Sequence, residues 1–433
     1  MSCIRNRLLG LLLGAAAIGA AMPLARTTPV AHAQATPAPT AVAVGGRIQA
    51  DNACYVRLPD MPATSLGEGR YGGLGGFNAK TGVMAYVGGA DKQTDENTVV
   101  FFQMFGIKLD GEKAAWKSVP YSNGLGYTQD TDKGCREGTA VQISDSNWAS
   151  VFGKDGCDNG KFDTSKKTGG DIKELQILGD ANASGIKWVP NSGASELIGD
   201  LLDQKGKLVR LFAAWDAQRN RIVFGQGTFN DELDSESQAK VYTAKKVGSQ
   251  FQLSEIRPAG TAPIKRYGSC AAYVYDKDAG LDGMVVLGGQ EGAPERIPAT
   301  TYKEVWWLDF KKNAANGEWV NITSRFDNMD SFGARREGGC AYDAASKSFY
   351  SWMGRTSGTY PDSSRRSTGV WRVNLAQLGD AAAKLTWERL AKDNTKGIEG
   401  RRLFPSIWDA ANKRILVVAG RGGSTELDAF RDA

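Results

Sequence analysis

Short apolar segments that stop at a glycine recur along the whole chain. Each is rich in valine and aromatic residues, as in VMAYVGG from Val83 and MVVLGG from Met284. The glycines are Gly88, Gly153, Gly225, Gly288, Gly354 and Gly420, separated by 65, 72, 63, 66 and 66 residues. A further apolar segment with an aromatic residue follows 26 to 35 residues after the first five of these glycines. This spacing leaves room for four strands per repeat, a to d, and no long helical pattern interrupts it.

Six repeats of four antiparallel strands predict an all-β fold, a six-bladed β-propeller, as one domain over residues 46–433. The predicted blades cover about 68–120, 134–191, 207–258, 265–326 and 333–393, with the sixth formed by 399–433 plus 46–60. The sixth repeat ends before its strand d. Because residues 53–59 resemble the d strands of other repeats, we expect this N-terminal strand to pair with the C-terminal blade and close the ring.

The sequence resembles the kelch-repeat family. The resemblance rests on the pairs Gly88-Gly89 and Gly288-Gly289, on an arginine near the start of each repeat and on a late tryptophan. It covers the chain from residue 46 onward and implies a propeller whose a strands are innermost. Two features depart from the family pattern. Blades 2, 3 and 5 carry one glycine instead of two, and the repeats exceed the roughly 50 residues usual for kelch.

The first 35 residues predict an export signal. Arg5 and Arg7 precede an apolar run that ends in small residues around Ala33 and Ala35, typical of a cleaved signal peptide. The run is too short and too rich in glycine and alanine for a good membrane-spanning helix. Residues 36–45 then form a Thr/Pro/Ala linker. We therefore expect a secreted, periplasmic or cell-surface protein without a transmembrane anchor in the mature chain.

Charge and histidine content narrow the possible chemistry. The formal charge of +5 falls to +2 when Arg5, Arg7 and Arg26 leave with the signal, so nucleic acid is not an expected partner. The single histidine, His32, leaves as well. Histidine-based triads and histidine metal ligands are therefore excluded from the mature chain, and no cofactor or metal site is predicted.

Five cysteines remain after Cys3 is removed. Cys135 and Cys157 lie at equal distances from the turn at Ser146, which predicts a disulfide across the first hairpin of blade 2, with two buried thiols as the alternative. Cys270 and Cys340 occupy equivalent positions in neighbouring a strands and are interpreted as small core residues. Cys54 has no predicted partner, and the odd number predicts at least one free thiol.

One face of the propeller is predicted to carry the binding site. The long loops 154–170, 226–239, 290–301 and 355–368 all connect strands b and c, and the a strands begin on the same face. Each a strand begins near an arginine: Arg70, Arg136, Arg210, Arg266, Arg336 and Arg402. Glu137 and Glu337 directly follow two of them. With strand a innermost, as the resemblance implies, six guanidiniums would surround the channel, either as a pocket for an anion or as links between blades.

Two functions remain open. The first is a non-catalytic binding or scaffold module that recognises a protein, a cell-envelope glycan or a small anionic ligand through the arginine-lined face. The alternative comes from the resemblance, since exported six-bladed kelch proteins include sialic-acid mutarotases. In such an enzyme Glu137 or Glu337 would act as acid or base and the arginines would hold the sugar carboxylate.

Overall fold

The computed structural model describes residues 47–62, 70–90, 103–109, 114–120, 136–153, 172–190, 192–203, 208–229, 240–291, 300–356, 366–393, 395, 398–422 and 428–429. Regular structure in these residues is almost entirely β. Besides strands they contain two short α-helices, Gly199–Asp203 and Met329–Phe332, and the 3-10 turn Thr323–Arg325. The predicted all-β class is confirmed. The predicted signal peptide and linker lie outside the described residues, as do Cys135 and Cys157.

The first two blades are four-stranded antiparallel sheets in chain order. An N-terminal hairpin, β1 (Arg47–Ala50) and β2 (Ala53–Val56), precedes them. Blade 1 contains β3 (Leu74–Asn78), β4 (Val83–Val87), β5 (Met104–Lys108) and β6 (Trp116–Val119). Blade 2 contains β7 (Thr139–Gln142), β8 (Asn147–Val151), β9 (Ile172–Ile177) and β10 (Ile186–Trp188).

Blades 3 and 4 each gain a short parallel strand at the outer edge. In chain order, the strands of blade 3 and its surroundings are β11 (Gly193–Ala194), β12 (Leu208–Val209), β13 (Phe212–Asp216), β14 (Arg221–Gly225), β15 (Thr228–Phe229), β16 (Val241–Val247) and β17 (Gln250–Ile256). Blade 4 follows with β18 (Ala259–Gly260), β19 (Cys270–Asp276), β20 (Leu281–Leu287), β21 (Val305–Asp309) and β22 (Glu318–Asn321). The added strands β11 and β18 pair with β17 and β22.

Blade 5 is again four-stranded, whereas the last repeat is smaller. The strands of blade 5 are β23 (Arg335–Arg336), β24 (Gly339–Asp343), β25 (Ser348–Trp352), β26 (Arg355–Thr356), β27 (Val370–Asn374) and β28 (Glu388–Ala391), of which β23 and β26 form a separate pair. The last repeat contains β29 (Arg401–Arg402), β30 (Ser406–Asp409), β31 (Arg414–Val417), β32 (Arg421–Gly422) and β33 (Asp428–Ala429). Here β30 and β31 form a two-stranded sheet.

The structure thus contains five blades of four or five strands in a propeller arrangement, and the last repeat contributes the hairpin β30–β31. The innermost strands β3, β7, β13, β19, β24 and β30 contact one another in this order, and β30 also contacts β3. Apolar clusters fill the spaces between neighbouring blades. One of them joins Phe77 and Met84 of blade 1 to Ile407 and Leu416 of the last repeat.

The predicted role of the N-terminal strand is not confirmed. Strand β2 forms within residues 53–59, but it pairs with β1, and no ladder within the described residues joins either strand to β30 or β31. The hairpin packs instead beside blade 5. The Tyr55 hydroxyl donates to the Thr368 carbonyl at 2.6 Å, and the Asn52 N–H donates to the Leu390 carbonyl at 2.8 Å.

A shared kink explains why several repeats depart from the Gly-Gly pattern. In every repeat two successive residues after the second strand have positive φ: Gly88-Gly89, Phe152-Gly153, Gln226-Gly227, Gly288-Gly289, Met353-Gly354 and Ala419-Gly420. The first position carries a side chain in four repeats, although in blade 4 a Cβ on Gly288 would lie 2.3 Å from the Arg335 carbonyl oxygen. At the second, the backbone is too close for one, since a Cβ on Gly354 would lie 2.7 Å from the Arg336 carbonyl oxygen. The second position is glycine in all six repeats, whereas the first needs glycine only where a neighbouring backbone lies as close as it does in blade 4.

Candidate functional site

Six residues with left-handed backbone, one per repeat, surround the central channel just before the innermost strands. They are Gly72, Glu137, Arg210, Gly268, Glu337 and Leu403, with φ between 52° and 69°. Each N–H donates to the carbonyl of the corresponding residue in the preceding repeat, and Gly72 donates to Leu403 of the last repeat. These six bonds are 2.6 to 3.4 Å long and form a continuous circuit. We call these six residues the axial ring.

The channel continues from the axial ring as a cavity of about 160 Å³. Four successive residues from each innermost segment line it, beginning with the axial ring itself. Beyond the ring these are mostly small or apolar residues, such as Gly138, Ala213, Ser269 and Gly339. The charged groups of the channel are therefore concentrated at its ring end.

The two predicted glutamates meet at this end. The Glu137 and Glu337 side chains are each 1% exposed. The Arg210 Nε lies 3.0 Å from Glu137 Oε2 and 3.5 Å from Glu337 Oε1. Arg402 Nη1 lies 2.6 Å from Glu337 Oε2. One guanidinium therefore bridges carboxylates from blades 2 and 5, and a second holds Glu337.

These cations keep Glu337 ionised. Burial by itself would raise the pKa of Glu337, but the guanidiniums of Arg402, Arg336 and Arg210 lower it by more. As a result, the pKa of this carboxyl lies well below its ordinary range. A carboxylate in this state is a weak base, and at neutral pH it has no proton to donate. Glu337 is therefore better suited to holding nearby cations in place than to acid/base catalysis.

Arg136 and Arg336 each contact a tyrosine next to the axial ring. Arg136 Nη1 donates to the Tyr71 hydroxyl at 3.2 Å and lies 3.9 Å from Glu137 Oε1. Arg336 Nη1 donates to the Tyr267 hydroxyl, and its guanidinium carbon lies 5.4 Å from the centre of the Tyr267 ring. Sequence reasoning missed both tyrosines, although the recurrence of Arg-Tyr-Gly at 70–72 and 266–268 is a signal that could have revealed them.

The expected ring of six arginines does not form. Arg70 points into blade 1, where its guanidinium donates to Gln103 and lies 4.9 Å from the Phe105 ring centre. Arg266 points into blade 4, where it pairs with Glu304 at 2.7 Å and donates to the Gly288 carbonyl at 3.1 Å. Both arginines lie two residues before the axial ring, whereas Arg136, Arg336 and Arg402 lie one residue before it and Arg210 belongs to it. Four of the six predicted arginines therefore gather at the channel.

The cysteines also differ from expectation. Cys270 and Cys340 are not separate core residues but form a disulfide between the innermost strands of blades 4 and 5, with a Cα–Cα distance of 5.9 Å. The equivalence noted in the sequence brings them together because β19 and β24 are neighbours around the channel. Cys54 is disulfide-bonded as well. None of the three described cysteines is therefore a free thiol.

A glycine substitution tests the axial ring. Gly268 has φ +69°, and a Cβ there would lie 2.9 Å from Cγ of Glu337. Gly248 has a similar φ of +62°, but its Cβ would meet nothing within 4 Å among the described residues. We expect Gly248→Ala to cost about 1 kcal/mol from backbone strain alone. Gly268→Ala should cost a further ~1–3 kcal/mol because Glu337 must move. Urea unfolding of both variants measures the difference, and equal losses would contradict the close packing of the ring.

The described residues define an all-β propeller with antiparallel blades and a charged site at one end of its channel. No family model and no curated protein matches the sequence, so membership of the kelch-repeat family is not confirmed. Solved structures with some similarity include that of YjhT, at 12% identity and a TM-score of 0.44, covering 86% of this chain and 96% of that one. Another is RAG in complex with one melted and one unmelted RSS, at 14% identity and a TM-score of 0.37, covering 60% and 74%. Neither similarity carries an argument about function.

Proposed function

We propose that this protein is an exported, non-catalytic propeller that recognises an anionic glycan at the axial-ring end of its channel. The observation that carries the proposal is the convergence of Arg136, Arg210, Arg336 and Arg402 on two carboxylates. These four cations exceed the charge of Glu137 and Glu337, so the group as a whole is positive. Guanidinium forks match carboxylates and phosphates, and a positive cleft attracts such groups over a distance.

The burial of these arginines favours a small inserted group over a flat protein surface. The side chains of Arg136 and Arg210 are 12% and 6% exposed. A protein partner usually covers about 800 Å² of each surface. A recessed cluster is better suited to an anionic group that projects from a chain, such as a sugar carboxylate. The cavity of about 160 Å³ is smaller than the ~300–1,000 Å³ of typical ligand pockets, which places the bulk of the ligand outside it.

The mutarotase alternative is less well supported. It requires Glu137 or Glu337 to exchange a proton with the sugar. Both carboxylates are engaged by Arg210, and the lowered pKa of Glu337 makes it a weak base. We therefore assign the glutamates the role of holding and orienting the arginines.

The proposal includes six blades in a closed ring, and it includes export. The hydrogen bond from Gly72 to Leu403 and the contact between β30 and β3 support the ring. The Cys270–Cys340 disulfide supports export, since such bonds persist mainly in oxidising compartments. No helix of the described residues is long and apolar enough to cross a membrane.

Thermal shift and calorimetric titration with glucuronate, N-acetylneuraminate and neutral glucose test the proposed function. We expect stabilisation by an anionic sugar, about 2.7 kcal/mol at a concentration of 100 Kd, and none by glucose. Arg136→Ala should weaken binding by about 1.5–3 kcal/mol because it removes a charge-assisted contact. Arg257→Ala is the control, since its side chain is 90% exposed and its loss changes the net charge equally. Glucose binding as tightly as the acids, or full binding by Arg136→Ala, would contradict the proposal.

A further inference from the structure

The first three repeats of the chain match the last three. Arg70-Tyr71-Gly72 recurs as Arg266-Tyr267-Gly268, Arg136-Glu137-Gly138 as Arg336-Glu337-Gly338, and Trp215-Asp216-Ala217 as Trp408-Asp409-Ala410. Matching motifs thus lie three repeats apart, which is half of a six-repeat ring. The site residues are therefore duplicated across the channel, in addition to the repetition from blade to blade.

The structure keeps this duplication in detail. Gly72 and Gly268 have φ of 68° and 69°, and Glu137 and Glu337 have 60° and 54°. The Glu137 N–H donates to the Gly72 carbonyl at 2.6 Å, and the Glu337 N–H donates to the Gly268 carbonyl at 2.7 Å. A Cβ on Gly72 would lie 3.0 Å from Glu137 Cγ, and one on Gly268 would lie 2.9 Å from Glu337 Cγ. The two glutamates are thus held in matching conformations.

Each half carries the same set of functional groups. In one half the Arg136 guanidinium donates to the Tyr71 hydroxyl, and in the other Arg336 donates to Tyr267. We call Tyr71–Arg136–Glu137 and Tyr267–Arg336–Glu337 the two half-sites. In both, the glutamate Oε1 is buried and makes no hydrogen bond among the described residues, although a guanidinium nitrogen lies 3.9 Å from it in Glu137 and 3.5 Å from it in Glu337. A buried acceptor without a donor is costly, so a hydroxyl or a water that donates to this oxygen would be favourable.

The half-sites meet at the channel axis. Arg210 contacts Glu137 of one and Glu337 of the other, so a single guanidinium joins them. The two halves of the chain differ at the axial-ring position of the third and last repeats, where Arg210 has Leu403 as its counterpart. A ligand that enters the channel end therefore faces two like half-sites at once and a bridging cation between them.

We propose that the two half-sites bind two anionic groups of one ligand, so that the preferred ligand carries two neighbouring carboxylates or similar acidic groups. This inference rests on the proposed function and specifies its ligand class. Two like sites held on a rigid ring favour a divalent ligand because the second contact is intramolecular. A single acidic group can engage only one half-site at a time.

Titration of the full chain with galacturonate and with digalacturonate tests the pair, using Arg136→Lys and Arg336→Lys as variants. Lysine keeps the charge beside the glutamate but loses the planar fork, which limits damage to folding. We expect digalacturonate to bind at least about tenfold more tightly than galacturonate. Each lysine variant should lose most of this advantage, and the two losses should be similar. Their melting temperatures, measured alongside, identify any loss that comes from unfolding.

Three outcomes are distinguishable. Equal binding of the mono- and disaccharide by the native chain would overturn the paired site while leaving an anion site in place. So would a loss confined to only one of the two lysine variants. Failure of galacturonate, digalacturonate and N-acetylneuraminate to bind at all would refute the proposed function itself, and the paired site with it.

Discussion

The double variant Cys270→Ser, Cys340→Ser is expected to be less stable than the native chain by about 4 kcal/mol. The bond joins residues separated by 70 positions, so its removal frees a long loop in the unfolded chain. It also releases the innermost strands of blades 4 and 5 from each other next to the axial ring. Urea unfolding followed by tryptophan fluorescence measures the loss.

Both proteins should be compared without reductant. Cys54 is also disulfide-bonded, so a reducing agent would act on more than one bond. An unchanged unfolding midpoint in the double variant would mean that blade packing alone fixes the two strands, contrary to this expectation.

Glu337→Gln is expected to lower stability by about 3–5 kcal/mol at neutral pH, because it leaves the buried Arg402 guanidinium without its counterion and Arg210 with only one of its two carboxylates. Arg402 contacts this carboxylate at 2.6 Å and Arg210 at 3.5 Å. The matched control is Glu388→Gln, in which a carboxylate that is 49% exposed loses its partner Arg372. Exposed pairs contribute ~0–1 kcal/mol, so the control should be nearly neutral. Equal losses in the two variants would contradict the buried network.

The stability difference between the native protein and Glu337→Gln should depend on pH. Because the pKa of Glu337 is lower in the folded than in the unfolded chain, its stabilising effect is complete above the unfolded pKa of about 4.3. It is lost as the pH falls through the folded pKa. Native and Glu337→Gln proteins should therefore differ by a constant amount from neutral pH down to about 4.3 and converge below it. Divergence on acidification would have the wrong sign for an ionised Glu337.

Much of the fold was predictable because it depends on local patterns. Hairpins that end at Gly88 or Gly288 follow from alternating apolar residues and from a backbone that only glycine adopts easily. The kinks at Phe152-Gly153 and Met353-Gly354 were not predictable in the same way, since their first residue has positive φ despite a large side chain. The N-terminal strand was found, but its partner β1 was not, because edge pairing depends on which neighbour is closer in space.

The site was predictable in composition but not in arrangement. Side chains alternate between the two sides of a strand, and the left-handed axial-ring residue interrupts this alternation. Arg336 lies one residue before that residue and faces the channel, whereas Arg266 lies two residues before it and points into blade 4. Sequence spacing alone does not show where that interruption falls. The Cys270–Cys340 bond was missed for a related reason. Equivalent positions in adjacent repeats signal a contact only after the innermost strands are known to approach within disulfide range.

The anion site at the axial ring is tested most directly by a crystal structure of the protein grown with digalacturonate. We expect ligand density at the axial-ring end of the channel, with carboxylate oxygens within hydrogen-bond distance of Arg136 and Arg336. Density confined to another surface, with both arginines engaged only by protein groups, would contradict it and would leave the arginines as links between blades.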